Sequence, residues 1–372
     1  MMVRHKSLKS QSELASFFQD MTPSDVYYSI AYYADPSLSM ESKGWLGADL
    51  VFDIDADHLL TPCNKVHDMW VCMHCGFYGK GITPETCPIC GKQKFEVKSW
   101  PCEVCLKSAK EELIKLLDFL LEDFGFSKSE IRLFFSGHRG YHVHVESGDV
   151  KMLGSLERKE IVDYIIGRGL DVVLFGHGMQ KKQFSKFWGA VNLDIGWNKR
   201  LFEGVSDIII SAKGEDLGNI GLGRDIIDKF MRNRDIILES WKKFGRITAV
   251  KGIGYETFRK IIDFCIKKQS ATLDTVVTTD VHRLIRLEDT LHGKTGFKKV
   301  EFSFSETDSF DPCKSAIAFK KGSATVSVSS APEFKLGEDV FGPYENQNVE
   351  LPAAAAVLLV LKGRAEIVKY AL

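Results

Sequence analysis

Seven of the nine cysteines lie between Cys63 and Cys105, and this crowding constrains the chain more than any other feature. Two pairs, Cys72-x2-Cys75 and Cys87-x2-Cys90, are each followed by a glycine, Gly76 and Gly91. A C-x-x-C turn points two thiolates inward, and four thiolates satisfy a tetrahedral Zn2+, so the spacing reads as a zinc ribbon. Cys63-x3-His67 and Cys102-x2-Cys105 flank that ribbon as a Cys3His set. The stretch 63–105 is rich in Cys, Gly, Pro and Lys and poor in aliphatic runs, so metal has to replace a core there. Paired spacing in a chain that opens without a secretory signal pattern points to metal rather than disulfides. Cys265 and Cys313 stand apart and read as small buried hydrophobes.

A chain of 372 residues with 44% hydrophobic and 27% charged residues has room for two or three packed domains. Its most apolar stretch, 353–361, is about nine residues against the roughly 20 needed to cross a bilayer, and a cytoplasmic location is expected. Lys and Arg number 49 and Asp and Glu 50, a formal charge of −1. A protein gripping nucleic acid over a whole face carries a basic excess. Here the charges must be segregated, or a partner must supply part of the grip.

The pattern is mixed. A helix-like run at 14–18 precedes 45–55, where alternation at Leu50, Phe52 and Ile54 predicts a strand. A 3.6-residue apolar period predicts a helix over 106–124, and strands are expected at 131–136 and 141–145. Helical patterns follow at 157–166, 224–241 and 255–267. Strands are then expected at 275–281, 300–304, 315–319 and 324–328, with a final helix in the last 22 residues. Strands and helices interrupted by insertions argue for an α+β fold rather than a regular βαβ series.

Three segments carry chemistry. In Asp53-Ile54-Asp55, strand alternation puts both carboxylates on one face about 7 Å apart, where they can share a pair of Mg2+ or Mn2+ ions. The plainer reading is an acidic, solvated strand edge, but Val51, Phe52 and Ile54 mark the strand as buried. Asp57 continues the period and is expected to lie beyond the strand. In Ser136-Gly-His-Arg-Gly-Tyr-His142, glycines at 137 and 140 let backbone amides approach an anion while His138 and Arg139 supply positive charge. That loop reads as a triphosphate cradle or as a hairpin with a basic turn; His142 and His144 share a strand face. In the third segment, 273–296, Asp274 and Asp280 sit near Arg283, Arg286, His292 and Lys294, as a metal-plus-triphosphate site requires. A surface strand and helix with ordinary charges would look similar.

In these three segments, taken in order, the chain resembles the archaeal and eukaryotic-type DNA primase small, catalytic subunit, with the strings G-W-L-G-A-D-L-V-F-D-I-D and H-R-L-I-R…L-H-G-K-T-G closest to the archaeal branch. The resemblance runs through most of the chain. It implies a primase-polymerase core of mixed sheets that performs template-directed primer synthesis from nucleoside triphosphates. Asp53, Asp55 and Asp274 would hold two catalytic Mg2+ or Mn2+ ions. Counting eighteen positions back from His292 in the family's pattern selects Asp274 over Asp280. Ser136, His138, Arg139, His142, Arg283, Arg286, His292 and Lys294 would bind the nucleotide. The family has a zinc knuckle near its active site, so the ribbon of Cys72, Cys75, Cys87 and Cys90 reads as an insertion between the Cys63/His67 and Cys102/Cys105 halves. Two structural zincs are expected; a single zinc with partners exchanged, His74 being nearby, is the competing arrangement.

The implied organisation is a catalytic core of 1–62, 106–154 and 269–372, a zinc module at 63–105 and a helical subdomain at 155–268. Relative to archaeal family members the chain starts abruptly, as a shortened or a mis-started amino-terminal segment would make it. Expected partners are a single-stranded DNA template, NTPs or dNTPs and a primase large subunit. The basic runs at 181–188 and in 224–251 read as solvated helix faces, with template or partner contact as the alternative. Lys251-Gly-Ile-Gly254 resembles a helix-hairpin-helix phosphate clamp only weakly. Two rivals stand beside the replicative reading. One is a repair-type primase-polymerase, disfavoured by the zinc module and the lack of ligase or nuclease motifs. The other is a non-catalytic zinc-ribbon protein that binds nucleic acid or assists assembly.

Overall fold

The computed structural model describes residues 3–170, 194–245, 247 and 250–371. Contacts group these into two units. The first comprises residues up to 113, 127–159 and 272–372; the second comprises 114–126 and the described part of 160–271. The basic run 181–188 lies outside the described residues. Among the described residues no helix is long and apolar enough to cross a membrane.

The first unit is built on a four-stranded sheet of β1 (Leu50–Asp55), β2 (Ile131–Phe135), β3 (Gly140–Val145) and β4 (Val300–Phe302), in the order β4-β2-β3-β1 with every pair antiparallel. Register places Asp53 opposite His142 and Asp55 opposite Gly140. Alternation then sorts the faces. Leu50, Phe52, Ile54, Leu133, Phe135, Tyr141 and Val143 point one way and are all buried. Phe135 packs against Tyr141 and Phe310, and Phe302 stacks on Phe310 with centroids 4.2 Å apart. Truncating a fully buried aromatic such as Phe52 in a layer like this costs about 3–5 kcal/mol. The other face carries Val51, Asp53, Asp55, Phe134, His142 and His144.

The second face is partly roofed by an apolar cluster of Ile30, Ala31, Ala48, Val51, Val277 and Ile285. It joins the strand pair Tyr27–Ser29/Leu284–Arg286 and the short helix Thr275–Thr279 to β1. The stretch 45–55, expected as one strand, is two: Trp45–Ala48 pairs with Ala31–Tyr33, and the chain breaks at Asp49 before β1. The expected strand at 275–281 is instead that helix. Its β-branched residues favour a strand, but the Asp274 side chain caps the turn by accepting the Val276 N–H (2.9 Å), and Val277 and Thr278 are buried.

A strand was also expected at 315–319. Pro312–Ser315 is a helical turn capped by Asp311, after which only Ile317 bridges to Phe297. The final 22 residues form the expected helix, Ala353–Leu361, then turn at Gly363 into the strand Ala365–Ala371. That strand flanks Ser323–Ala331 opposite Tyr344–Pro352.

The cysteine-rich segment holds a small three-stranded sheet, with Met69–Cys72 between Tyr78–Lys80 and Phe95–Lys98. Trp70 is its main buried side chain, packed on Phe77 and Phe95. In the second unit the pattern 224–241 divides into Arg224–Arg232 and Arg234–Phe244, because Asn233 adopts φ −120° and ψ 24°. Gly196–Ser211 and Tyr255–Gln269 pack there through Leu201, Val205, Phe258, Ile261 and Ile262, and the buried Trp241 indole donates to the Phe202 carbonyl (3.1 Å).

Candidate active site and metal centres

Asp53 and Asp55 stand at the end of β1, with Asp274 near enough for its charge to act on Asp53. Asp53 and Asp55 share a strand face, and the Asp274 backbone N–H donates to the Asp53 carbonyl (2.9 Å), which seats the short helix against that strand. Burial, with the Asp55 and Asp274 charges added, pushes the Asp53 carboxyl up to about 7. Burial likewise raises Asp55, opposed by the Arg139 charge. Asp280, the alternative third carboxylate, ends the same helix and accepts the His282 N–H instead (2.9 Å). Carboxylates packed this closely repel one another, and a divalent cation is the usual counter-charge for such an oxygen-rich set.

Opposite lies the positive wall of a cleft of about 170 Å3 lined by Asp53, Asp55, Ser136, His138, His142, Arg283, Arg286 and His292. The glycines of the β2–β3 turn are there for space. A Cβ on Gly140 would sit 1.9 Å from the Ile54 carbonyl oxygen. Gly137, at φ +90°, would put one 3.0 Å from His292 Cβ. The Thr295 hydroxyl ties the two loops together by donating to the Gly137 carbonyl (2.5 Å). His138 then stacks on His292, with centroids 5.0 Å apart.

Burial holds His138 and His142 well below the usual imidazole range and lowers His292 to about 3, with neighbouring cations adding to the effect. These rings are therefore neutral hydrogen-bonding groups at pH 7. His142 Nε2 lies 3.5 Å from an Asp53 oxygen. The Arg286 guanidinium donates to Asp25 (2.8 Å) and to the Leu291 carbonyl (2.7 Å), and Asp25 also accepts the Gly293 N–H (3.0 Å). Lys294 is exposed beside this cleft.

Arg139 departs from the expectation of a triphosphate ligand. It is 1% exposed, does not line the cleft, and turns away to pair with Asp57 and Asp68. Two lysines went unnoticed in the sequence. Lys362, just past the helix Ala353–Leu361, donates to His138 Nε2 (2.9 Å); burial, then Arg139 and Lys294, lower it to about 7. The fully buried Lys299 sits behind His144 (3.4 Å) over the Phe134 ring and is also lowered to about 7, chiefly by burial. Neither belongs to a recognisable motif. Only an excess of lysines at otherwise apolar positions, flanked by Phe297 and Val300 or following Leu361, marks them.

The cysteines form two groups, each with all ligand atoms within 4.8 Å of one another: Cys63, His67, Cys102 and Cys105, and Cys72, Cys75, Cys87 and Cys90. Cys72 and Cys90, and Cys75 and Cys87, have sulfurs 3.6 Å apart. In the first group Cys63 and Cys105 are 3.3 Å apart, and His67 Nε2 is 3.2 Å from Cys102. Four sulfurs at about 2.3 Å from a tetrahedral ion would lie about 3.8 Å from one another, whereas a disulfide needs about 2.05 Å, so both groups fit zinc. His74 belongs to neither group. A third grouping, Asp55, Asp57 and His138, overlaps the cleft, but Asp57 is engaged by Arg139.

Comparison with known proteins accords with this geometry. The model of the family described as DNA primase small subunit matches residues 98–304. The chain is 32% identical over 366 residues to the DNA primase small subunit of Nitrosopumilus maritimus (strain SCM1), spanning 98% of this chain and 88% of that protein. It is 33% identical over 384 residues to that of Methanococcoides burtonii, again over 98% of this chain and 88% of the relative. The corresponding protein of Cenarchaeum symbiosum is 32% identical over 370 residues, with the same coverage. The chain belongs to the archaeal-type DNA primase small subunit family.

Proposed function

We propose that the cleft beside β1 joins nucleotides by two-metal nucleotidyl transfer. Family membership makes the chain a DNA primase, a DNA-directed nucleotidyltransferase of replication. The reading is supported by Asp53 and Asp55 lining the cleft opposite imidazoles and arginines, with the Asp274 charge acting on Asp53. Those three aspartates would hold the ions, which when bound lower the pKa of a primer 3′-hydroxyl and offset charge on the departing pyrophosphate.

The rest is the work of the chain's own residues. Ser136, His138, His142 and His292 offer hydrogen bonds to sugar and phosphate oxygens. Arg283, Arg286 and Lys294 offset the roughly four negative charges of a triphosphate. Arg286 lines the cleft and is held by Asp25 and the Tyr27 hydroxyl, so little rotamer freedom is left to lose on binding. Arg139 is assigned a supporting place behind the cleft rather than a phosphate contact.

The two sulfur-rich groups would each hold one structural zinc, the ribbon lying between the halves of the Cys3His set. We take the core to be 1–62, 106–154 and 269–372, with the zinc module at 63–105 and the helical subdomain at 155–268. The cleft accounts for one incoming triphosphate. A near-neutral chain has little general attraction for template, and its relatives are named small subunits. A large subunit that helps hold template and initiating nucleotide completes the proposal. Purified chain should then extend primers on single-stranded DNA but begin them poorly, with strongly salt-dependent template binding. Synthesis with labelled NTPs and dNTPs, with and without primer, tests this; vigorous unprimed synthesis by the chain alone contradicts the partner requirement. Full activity after Asp53→Asn contradicts the site.

A further inference from the structure

We propose that Asp68 couples the Cys63/His67/Cys102/Cys105 centre to the nucleotide-binding turn, so that filling this centre sets the turn for nucleotide. The inference rests on the zinc reading of that centre given above. Its starting point is Arg139, a buried guanidinium in the middle of the turn Ser136–Gly140 that no substrate contact explains. A buried cation needs fixed partners. Arg139 finds them in Asp57, just past the catalytic strand, and in the zinc module, where Nη1 donates to both Asp68 oxygens (2.9 and 2.8 Å) and to the Trp100 carbonyl (3.3 Å). Its own carbonyl accepts the Ala56 N–H (3.3 Å), one residue after Asp55. Arg139 is thus anchored to the catalytic strand by its backbone and to the zinc module by its side chain.

Asp68 is the hub of this arrangement. Besides Arg139 it accepts the Trp100 N–H (3.1 Å) and a bond from His67 Nδ1 (2.7 Å), and both His67 and Asp68 side chains are under 10% exposed. An ionised carboxylate only accepts, so His67 carries its proton on Nδ1. Nε2 is then the ring nitrogen that faces Cys102 (3.2 Å) and Cys105 (3.5 Å) and that would bind zinc. One carboxylate therefore orients a ligand of the centre and, with Asp57, neutralises the arginine of the turn. A second strut runs in parallel: the Ser99 hydroxyl, beside Trp100, lies 3.3 Å from His138 Nε2. The turn's two neighbouring basic residues are each braced by the module, and loss of the ion would release His67, then Asp68, then Arg139.

The test uses the full chain and two readouts, zinc release to a chromogenic chelator and equilibrium binding of ATP with Mg2+. Replacing Cys87 and Cys90 by Ser should leave one zinc and unaltered ATP affinity, which isolates the centre in question. Stripping that last zinc should weaken ATP binding about tenfold. Asp68→Asn should weaken zinc affinity about 10–100-fold, the usual effect of losing such a partner, and ATP affinity about tenfold. Arg139→Lys, which keeps charge but loses the fork, should weaken ATP binding severalfold with zinc retained. If the Cys87/Cys90 variant holds no zinc, the metal reading is wrong and the proposal falls with it. If zinc is present but its removal, or Asp68→Asn in a folded protein, leaves ATP affinity unchanged, the coupling alone is wrong. Should Asp68→Asn not fold, unchanged ATP affinity in Arg139→Lys overturns the coupling equally.

Discussion

Replacing Asp53 by Asn should stabilise the protein in the absence of catalytic metal while abolishing nucleotide incorporation. In the fold the Asp53 carboxyl is raised from 3.8 to about 7, by burial first and by Asp55 and Asp274 next. The sign follows from proton binding. Between about pH 4 and 7 the folded protein holds a proton at Asp53 that the unfolded chain has released, so the stability contributed by this group falls as pH rises through that window. Above pH 7 the ionised group is a net cost of on the order of 2–4 kcal/mol. With the side chain still 23% exposed, the lower end, about 2 kcal/mol, is the better figure. For a protein of this size that corresponds to a rise of roughly 2–4 °C in melting temperature for Asp53→Asn at pH 8, shrinking toward nothing near pH 4. Calorimetry across that pH range, with zinc left in place and no Mg2+ or Mn2+ added, measures it. Adding Mn2+ at pH 8 should stabilise the wild type and hardly affect the variant. A lower melting temperature for Asp53→Asn at pH 8, or equal Mn2+ stabilisation of both, would refute the charge-crowding argument.

Two further outcomes follow from named contacts. Lys362→Ala should raise the Michaelis constant for nucleotide roughly three- to tenfold with a smaller effect on turnover, and Lys362→Arg should recover part of it, because a hydrogen bond from Lys362 to His138 is worth about 1 kcal/mol; equal kinetics in all three forms would remove Lys362 from the site. Metal analysis should find two zincs per chain and one after Cys87→Ser with Cys90→Ser, with increased proteolysis confined to 63–105; one zinc in both proteins would mean the ribbon sulfurs bind none.

What could be read from the sequence was whatever depends on local spacing. The pairing of C-x-x-C halves is written in the chain, and the sulfurs group accordingly. Strand alternation put Asp53 and Asp55 on one face, and β1 has that form. Legibility failed where tertiary contacts overrule local preference. Thr-Val-Val-Thr-Thr at 275–279 has the composition of a strand, yet an aspartate cap and a seat against β1 make it a helix. Arg139 illustrates a deeper limit. Beside two glycines it has the pattern of a phosphate ligand, and its direction is decided by Asp68, 71 positions away, which no periodicity could pair with it. Lys362 likewise reaches His138 across 224 positions, delivered by an apolar helix whose Val357 and Leu361 lie against Gly296.

In the proposed site a third carboxylate, that of Asp274 capping the short helix, joins the two on β1. This assignment is tested most directly by comparing single-nucleotide incorporation by Asp274→Asn and Asp280→Asn on a primed template with Mn2+. The account predicts a loss of at least about a thousandfold for Asp274→Asn, the scale of losing an electrostatic contact to the reacting group, and near wild-type rates for Asp280→Asn. Activity retained in Asp274→Asn and lost in Asp280→Asn would contradict it.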